Sequence, residues 1–145
     1  MKFNHLFVLL TTLILYSRIN KHECGSTKEQ LEKTGKMFRQ VCQSKLKIPD
    51  DILDSAKQGI FPDTKAFKCY VSCIMDMMQV TKKGKIDYAK SIKQIDTLLP
   101  DDYKPAYRMG LDACKDAAQG IKDQCEASLI LLKCFSVNNP LFMFP

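Results

Sequence analysis

Histidine is nearly absent from this sequence, and both copies lie close to the N-terminus. The two histidines of the 145-residue chain are His5 and His22. Residues 23–145 therefore cannot supply the buried Ser-His or Cys-His pair of a hydrolase or the imidazole ligands that zinc usually takes. We expect no catalytic site, no metal site and no cofactor, and hence a binding protein.

Clusters of positive charge are missing as well. The chain has 22 Lys and Arg against 16 Asp and Glu, a formal net charge of +6, but the two signs are interspersed. A nucleic-acid-binding surface needs clustered Lys and Arg, often with aromatic residues between them. We therefore expect no nucleic-acid partner.

Long apolar runs are missing outside the N-terminus. Lys2 supplies a positive charge, and residues 6–16 are apolar apart from two threonines. This run is too short for a comfortable membrane span and is typical of a secretory signal peptide. We place the signal peptide at residues 1–20, with cleavage between 17 and 25, and one domain at residues 21–145. A secreted, soluble and extracellular domain is expected.

Seven cysteines are the main feature that is present. Six of them are separated by 26, three, 40, ten and eight residues: Cys42, Cys69, Cys73, Cys114, Cys125 and Cys134. Cys69 and Cys73 fall on one helix face, and each should reach a different segment because they are too far apart to join on a regular helix. The seventh, Cys24, is retained or removed according to the cleavage point. Spacing alone leaves the pairing open.

Helical periodicity accounts for the rest of the chain, which shows no strand alternation, repeat or low-complexity segment. Ser26 and Glu29 have the spacing of a capping box, so a first helix should begin there. Proline, aspartate and threonine residues mark further helix starts, and glycines mark stops. We expect further helices over residues 49–59, 62–80, 87–99, 105–120 and 123–135.

The segment 62–80 is the most apolar of these helices. At about 100° per residue, only Ser72 and Asp76 fall outside its apolar arc. Its methionines suit irregular apolar surroundings. The chain then ends in a tail, 136–145, whose Phe142 and Phe144 would each forgo about 1.5–3 kcal/mol if left in water. We expect the tail to fold back, and the surplus of apolar surface to form either a cavity or a solid core.

The three-residue and eight-residue cysteine gaps, the Cys-Phe pair at Cys134 and the apolar tail resemble the six-cysteine signature of insect odorant-binding and pheromone-binding proteins. The resemblance covers roughly residues 27–145. It implies an all-α fold of six or seven helices around a hydrophobic cavity. It also implies three disulfides, namely Cys42 with Cys73, Cys69 with Cys125, and Cys114 with Cys134.

The resemblance also implies a function. Members of this family bind small hydrophobic odorants or pheromones and carry them through the aqueous sensillar lymph to a membrane odorant receptor. Transport of a lipid or hormone outside olfaction by the same scaffold is the alternative, and a secreted interaction or inhibitor protein with a solid core is a third class. The expected state is a monomer or weak homodimer.

Family positions and helical spacing together predict the ligand-binding residues. They are Val71, Met75, Asp76, Met78, Ile92, Ile95, Leu111, Phe135, Phe142 and Phe144. Asp76 departs from a small hydroxyl in some relatives, and we favour an outward orientation for its carboxylate. Residues 136–145 are interpreted as a lid whose Pro145 α-carboxylate pairs with a basic or hydroxyl group on the body. If acid weakens ligand binding, protonation of this carboxylate should release the lid at about pH 4 or below.

Overall fold

The computed structural model of the chain describes Thr11 and residues 25–145. The part from residue 25 onwards contains six helices and one short hairpin: α1 (Lys28–Leu46), α2 (Asp50–Lys57), α3 (Lys65–Met77), β1 (Thr81–Lys82), β2 (Lys85–Ile86), α4 (Tyr88–Leu98), α5 (Lys104–Cys114) and α6 (Gln124–Asn138). The predicted all-α class is confirmed. The signal peptide predicted over residues 1–20 and the fate of Cys24 lie outside the described residues.

Helix α1 begins one residue later than predicted. Thr27 Oγ1 accepts the Gln30 N–H at 3.2 Å, and Gln30 Oε1 accepts the Thr27 N–H at 2.7 Å. Thr27 and Gln30 therefore form the capping box, and the predicted pair of Ser26 and Glu29 does not. The reason is tertiary, because the Ser26 N–H already donates to the Leu98 carbonyl oxygen at 2.9 Å.

The other helix starts follow the predicted chemistry. Thr64 caps α3, Asp87 caps α4 and Asp123 caps α6, in each case by accepting the backbone N–H three residues later. Pro105 lies in the first turn of α5, where its missing N–H leaves no helical bond unmade. These starts depend on local hydrogen bonds, which explains why the sequence predicts them.

Three helix ends differ from the prediction. Helix α3 ends at Met77 rather than near residue 80. Helix α5 ends at Cys114 rather than near residue 120, because tighter bonds from Ala117 N–H to the Cys114 carbonyl and from Gln119 N–H to Asp116 replace the α-helical pattern. Helix α6 continues to Asn138, three residues beyond the predicted end.

The segment 82–85 is a turn, as predicted, but it belongs to a β-hairpin that the sequence analysis did not predict. Lys83 and Gly84 have φ of 53° and 74°, the two positive values of a type I′ turn. Thr81 pairs with Ile86 on either side of it. Strands of two residues are too short to show alternation, so sequence periodicity could not reveal them.

Helix α3 lies at the centre of the fold. It packs mainly against α6 and α1, while α5 packs against α6 and α4 packs against α5. The disulfide pairing implied by the family resemblance is confirmed. Cys42–Cys73 joins α1 to α3, Cys69–Cys125 joins α3 to α6, and Cys114–Cys134 joins α5 to α6. Helices α2 and α4 contain no cysteine.

The larger core cluster surrounds α3. Its buried members are Cys42, Ile48, Leu53, Ala56, Phe67, Tyr70, Val71, Ile74, Leu129 and Leu132. Ser72 is also buried, at 6% exposure, although it falls outside the apolar arc. Neighbours on both sides bury more of α3 than its apolar residues alone predict. Within residues 25–145, no helix is both long and apolar enough to cross a membrane.

Candidate functional site

The C-terminal tail packs against the body of the protein, as its composition predicts. The ring of Phe144 lies 6.0 Å from those of Phe61 and Phe67 and 6.1 Å from that of Tyr70, measured between centroids. Phe67 and Tyr70 belong to α3 and are fully buried. The tail thus completes an aromatic cluster, hereafter the Phe144 cluster, at separations that favour tilted ring pairs.

The last residue of the tail reaches helix α1 at Gly35. A Cβ atom added to Gly35 would lie 3.3 Å from Pro145 Cβ and 3.7 Å from its Cα. A glycine inside a helix is destabilising by about 1 kcal/mol relative to alanine. Close approach of the tail gives a structural reason for this residue, which the sequence alone did not reveal.

A second chain of rings joins α5, α6 and the tail. The Phe135 ring lies 5.6 Å from that of Tyr107 and 6.0 Å from that of Phe142. A Cβ on Gly110 would lie 2.9 Å from the Phe135 ring, so glycine makes room for it. Burial raises the pKa of the Tyr107 hydroxyl, and a hydrogen bond with the backbone of Met143 opposes that shift.

The predicted ligand-binding residues fall into buried, partly buried and exposed groups. Val71, Ile95 and Leu111 are buried, at 2%, 7% and 4% exposure. Val71 belongs to the larger core cluster and Met75 packs against it, whereas Ile95 and Leu111 join neither core cluster. Ile92 and the three predicted phenylalanines, Phe135, Phe142 and Phe144, are partly buried.

Two predicted residues lie at the surface instead. Asp76 is exposed and accepts hydrogen bonds from Gln124 Nε2, at 3.0 and 3.2 Å, and from Thr81 Oγ1 at 3.3 Å. The outward orientation favoured for its carboxylate is therefore the one observed. Met78 is 38% exposed because α3 ends just before it and the chain turns away. Neither residue lies with the buried group.

Two depressions in the described surface lie elsewhere. One, of about 290 Å³, lies between the ends of α2 and α6 and the tail, and includes Phe142 and Phe144 in its lining. The other, of about 360 Å³, is lined mainly by charged residues and lies around Lys68 and Glu126. Neither is lined by Val71, Met75, Ile95 or Leu111. The enclosed cavity among α3, α4, α5 and α6 stays a prediction.

A lysine lies at the centre of the depression that charged residues line. Lys68 pairs with Asp63 and with Glu126, and so links the start of α3 to the start of α6 beside the Cys69–Cys125 disulfide. Its hydrogen bond to Asp63 raises the pKa of Lys68, and the same bond lowers the pKa of Asp63. These charges satisfy one another, which fits a structural role.

Tyr70 is a polar residue that the sequence analysis missed. Its side chain is fully buried, and its hydroxyl has no hydrogen-bond partner among residues 25–145. Burial raises the pKa of Tyr70 to about 12. The sequence signal that could have identified Tyr70 is its place between the two cysteines of the most apolar helix. An unmet buried hydroxyl is destabilising by about 1–3 kcal/mol.

The expected lid contact of Pro145 takes a different form from the one predicted. Within residues 25–145, no ion pair joins its carboxylate to a basic side chain. Arg39, one turn along α1 from Gly35, pairs instead with Asp50 and Asp54. Over the same residues, no group of three or more His, Cys, Asp or Glu side chains could hold a metal ion.

Two known proteins are similar in sequence to this chain. The chain is 65% identical over 119 residues to general odorant-binding protein 72 of Anopheles gambiae, covering 82% of this chain and 98% of that one. It is 39% identical over 148 residues to general odorant-binding protein 19a of Drosophila melanogaster, along the full length of both.

Solved structures agree with these relatives. The crystal structure of odorant binding protein 4 of Chrysopa pallens matches with a TM-score of 0.76 at 32% identity, over 83% of this chain and 99% of that one. Odorant binding protein 5 of Apis mellifera matches with a TM-score of 0.75 at 27% identity, over the same shares. The model of the PBP/GOBP family matches residues 24–138. The chain therefore belongs to the PBP/GOBP family, the odorant-binding proteins of insects, whose members are small-ligand carriers rather than enzymes.

Proposed function

We propose that this protein is a secreted carrier that binds small hydrophobic odorants or pheromones and takes them through aqueous lymph to olfactory receptors. The observation that carries the proposal is the position of Ile95 and Leu111. Both are buried apolar residues, yet neither joins a core cluster. Buried apolar side chains that belong to neither core cluster are well placed to line an apolar binding site.

The arrangement of the helices supports this location. Helix α4 packs on α5, whereas α3 packs on α6 and α1. A ligand between the two groups would contact Val71 and Met75 of α3 on one side, and Ile92, Ile95 and Leu111 on the other. None of these side chains is charged, so the site favours neutral long-chain alcohols and esters over ions.

The tail supports the proposed role of residues 136–145 as a lid. Phe142 contacts Phe135 at the end of α6, and Phe144 rests in its cluster against α3. We infer that the tail covers the end of the site nearest Phe135, where Phe142 contacts it, and that as a terminal segment it can detach. Detachment would open a route for ligand without breaking any of the three disulfides.

Secretion and olfactory transport are the finer parts of the proposal. Three disulfides suit an oxidising, extracellular compartment, and the two curated relatives described above are named odorant-binding proteins. We propose a monomer or weak homodimer that delivers its ligand to a membrane receptor. Transcript abundance in antennae compared with other tissues tests the olfactory role, and transcripts confined to other tissues would favour non-olfactory transport.

A binding experiment tests the carrier function itself. We expect the purified mature chain to bind a fluorescent apolar probe that neutral alcohols and esters displace. Leu111→Phe, at a residue 4% exposed, should change probe affinity severalfold, whereas Leu98→Phe, at a residue 50% exposed on α4, should not. A probe that fails to bind, or equal effects of the two substitutions, would contradict the proposed site.

A further inference from the structure

The segment before α1 is attached to the far end of α4. The Ser26 N–H donates to the Leu98 carbonyl oxygen at 2.9 Å. Gly25 lies against the next peptide group, because a Cβ atom added to it would lie 2.8 Å from the Leu99 carbonyl oxygen and 3.6 Å from Pro100 Cα. Only a residue without a side chain allows this approach, since the atoms that it meets are backbone atoms that no rotamer change can move.

The end of α4 has the right chemistry for this contact. A residue before a proline is biased away from the helical conformation, and Leu99, which precedes Pro100, is extended with φ of −83° and ψ of 147°. Helix α4 therefore stops at Leu98, and its last carbonyl groups have no partner within the helix. The Ser26 N–H supplies a partner to one of them.

The start of α4 is held in a different way. Three hydrogen bonds join it to the segment after α3, namely Asp87 N–H to the Val80 carbonyl oxygen at 2.9 Å, Lys90 Nζ to Gln79 Oε1 at 2.6 Å, and Gln94 Nε2 to the Met78 carbonyl oxygen at 2.9 Å. The far end of this 11-residue helix lies about 16 Å away. A movement of α4 that pivots about its start is therefore largest where residues 25 and 26 contact it.

The far end of α4 also carries part of the proposed ligand site. Ile95 is buried, at 7% exposure, and it lies one turn before Leu99. The Leu99 N–H donates to the Ile95 carbonyl oxygen at 3.4 Å, which is longer than the usual distance of about 2.9–3.0 Å. The helix closes its own last turn weakly, so the contact with residues 25 and 26 helps to keep this wall of the site in place.

We propose that residues 25 and 26 are a latch that holds α4 closed against the proposed ligand site, and that its release opens an exit for ligand at the end of α4. The exit rests on the proposed carrier function, whereas the contact itself does not. This latch is distinct from the lid of residues 136–145, because the tail contacts α1, α3 and α6. One hydrogen bond and one close approach can open locally while the three disulfides stay intact.

Hydrogen exchange of the mature chain, followed by NMR, tests the latch directly. Ser26→Pro removes the N–H that bonds to α4, and Gly25→Ala places a methyl group against the Leu99 carbonyl oxygen. Loss of one backbone hydrogen bond should speed exchange of the amides of residues 97–99 about threefold to tenfold. Amides in the core of α6 should keep their wild-type exchange rates, because the opening is local.

Two matched substitutions serve as controls. Ser26→Ala keeps the backbone N–H, and Gly35→Ala adds the same methyl group where it meets Pro145 of the tail instead of α4. Neither should change exchange in residues 97–99. Equal acceleration by Ser26→Ala and Ser26→Pro, or no acceleration in either latch variant, would overturn the latch. Equal acceleration in α6 would also overturn it, because the opening would then be global.

Dissociation of the apolar probe N-phenyl-1-naphthylamine, followed by stopped-flow fluorescence, tests the exit. Ser26→Pro should release the probe faster by the same factor as it speeds exchange at the end of α4, because both rates report the same opening. Faster exchange with a wild-type release rate would overturn the exit. If the wild-type chain binds no apolar probe, the carrier function and the exit both fail, whereas exchange in residues 97–99 still decides the latch.

Discussion

The two sides of helix α3 are built differently. On the side of α1, α2 and the tail, the rings of Phe61, Phe67, Tyr70 and Phe144 lie 6.0–6.4 Å apart in the pairs that contact one another. The Cys42–Cys73 disulfide joins α1 to α3 on the same side. This side is a packed core with covalent support, and it should contribute most of the stability.

The side of α4 has no such support. Helix α4 contains no cysteine, and it is linked to the chain before it by hydrogen bonds such as Gln94 Nε2 to the Met78 carbonyl at 2.9 Å. It is joined to α5 by the Arg108–Asp96 ion pair and the Tyr88–Asp112 hydrogen bond, both exposed. Exposed polar pairs contribute little. The difference teaches that α4 is the helix that can move at least cost, because fewer strong contacts hold it than hold the α3 framework.

The largest expected effect comes from the disulfides of the rigid framework. Replacing Cys69 and Cys125 by serine opens a closed loop with a sequence separation of 56, compared with 20 for Cys114 and Cys134. The chain-entropy relation gives losses of about 4 and about 3 kcal/mol in the free energy of unfolding. Denaturant unfolding of both double variants measures them, and a smaller loss for the longer loop would contradict the chain-entropy account here.

The next effect concerns the Phe144 cluster. Phe144→Ala removes a ring that packs against three others, and we expect a loss of about 2 kcal/mol in stability. Val137→Ala is the control, because this residue of α6 is 84% exposed and should change stability little. Equal melting temperatures for wild type and Phe144→Ala would show that the tail adds nothing to the packed side.

A smaller effect isolates the contact between the tail and α1. Gly35→Ala should gain about 1 kcal/mol in stability from helix propensity. It should lose that gain because the added Cβ crowds Pro145. In a chain lacking residues 141–145, the same substitution should be fully stabilising. A double-mutant cycle measures the difference. Additive changes would mean that Pro145 does not rest on Gly35 in solution.

The tyrosines of the two ring clusters should respond in opposite directions. Tyr70→Phe removes a buried hydroxyl without a partner and should raise stability slightly, by up to about 1 kcal/mol. Tyr107→Phe removes a hydroxyl that bonds to the Met143 backbone and should lower stability by a similar amount. Thermal unfolding of both variants checks this, and a loss in Tyr70→Phe would indicate an unseen partner.

Tyr70 also predicts a dependence on alkaline pH. Its folded pKa is about 12, raised from 10.0 by burial. Because the core accepts only the neutral hydroxyl, the contribution of Tyr70 protonation to the free energy of unfolding is complete below about pH 10. It is lost as the pH rises from about 10 to about 12. Stability measured across this range should fall less steeply in Tyr70→Phe than in the wild type. Parallel curves would contradict the burial of this hydroxyl.

Much of the fold could be predicted from local chemistry. Thr64, Asp87 and Asp123 cap helices because each side chain bonds to a backbone group three residues away, and such bonds need no tertiary contact. Capping failed at Ser26, where two overlapping motifs competed and a contact with Leu98 decided between them. The candidate site was harder, because the burial of Ser72 depends on neighbours distant in sequence and the exposure of Met78 depends on where α3 ends.

The sequence by itself determined the helical class, most helix starts and the cysteine spacing that identifies the family, because periodicity and capping act over a few residues. Only the tertiary structure decided why α1 contains Gly35, which side chains surround Phe144, and that Tyr70 and Asn139 each keep an unmet polar atom within the described chain. Those properties arise where segments far apart in sequence meet, and packing rather than local propensity controls such contacts.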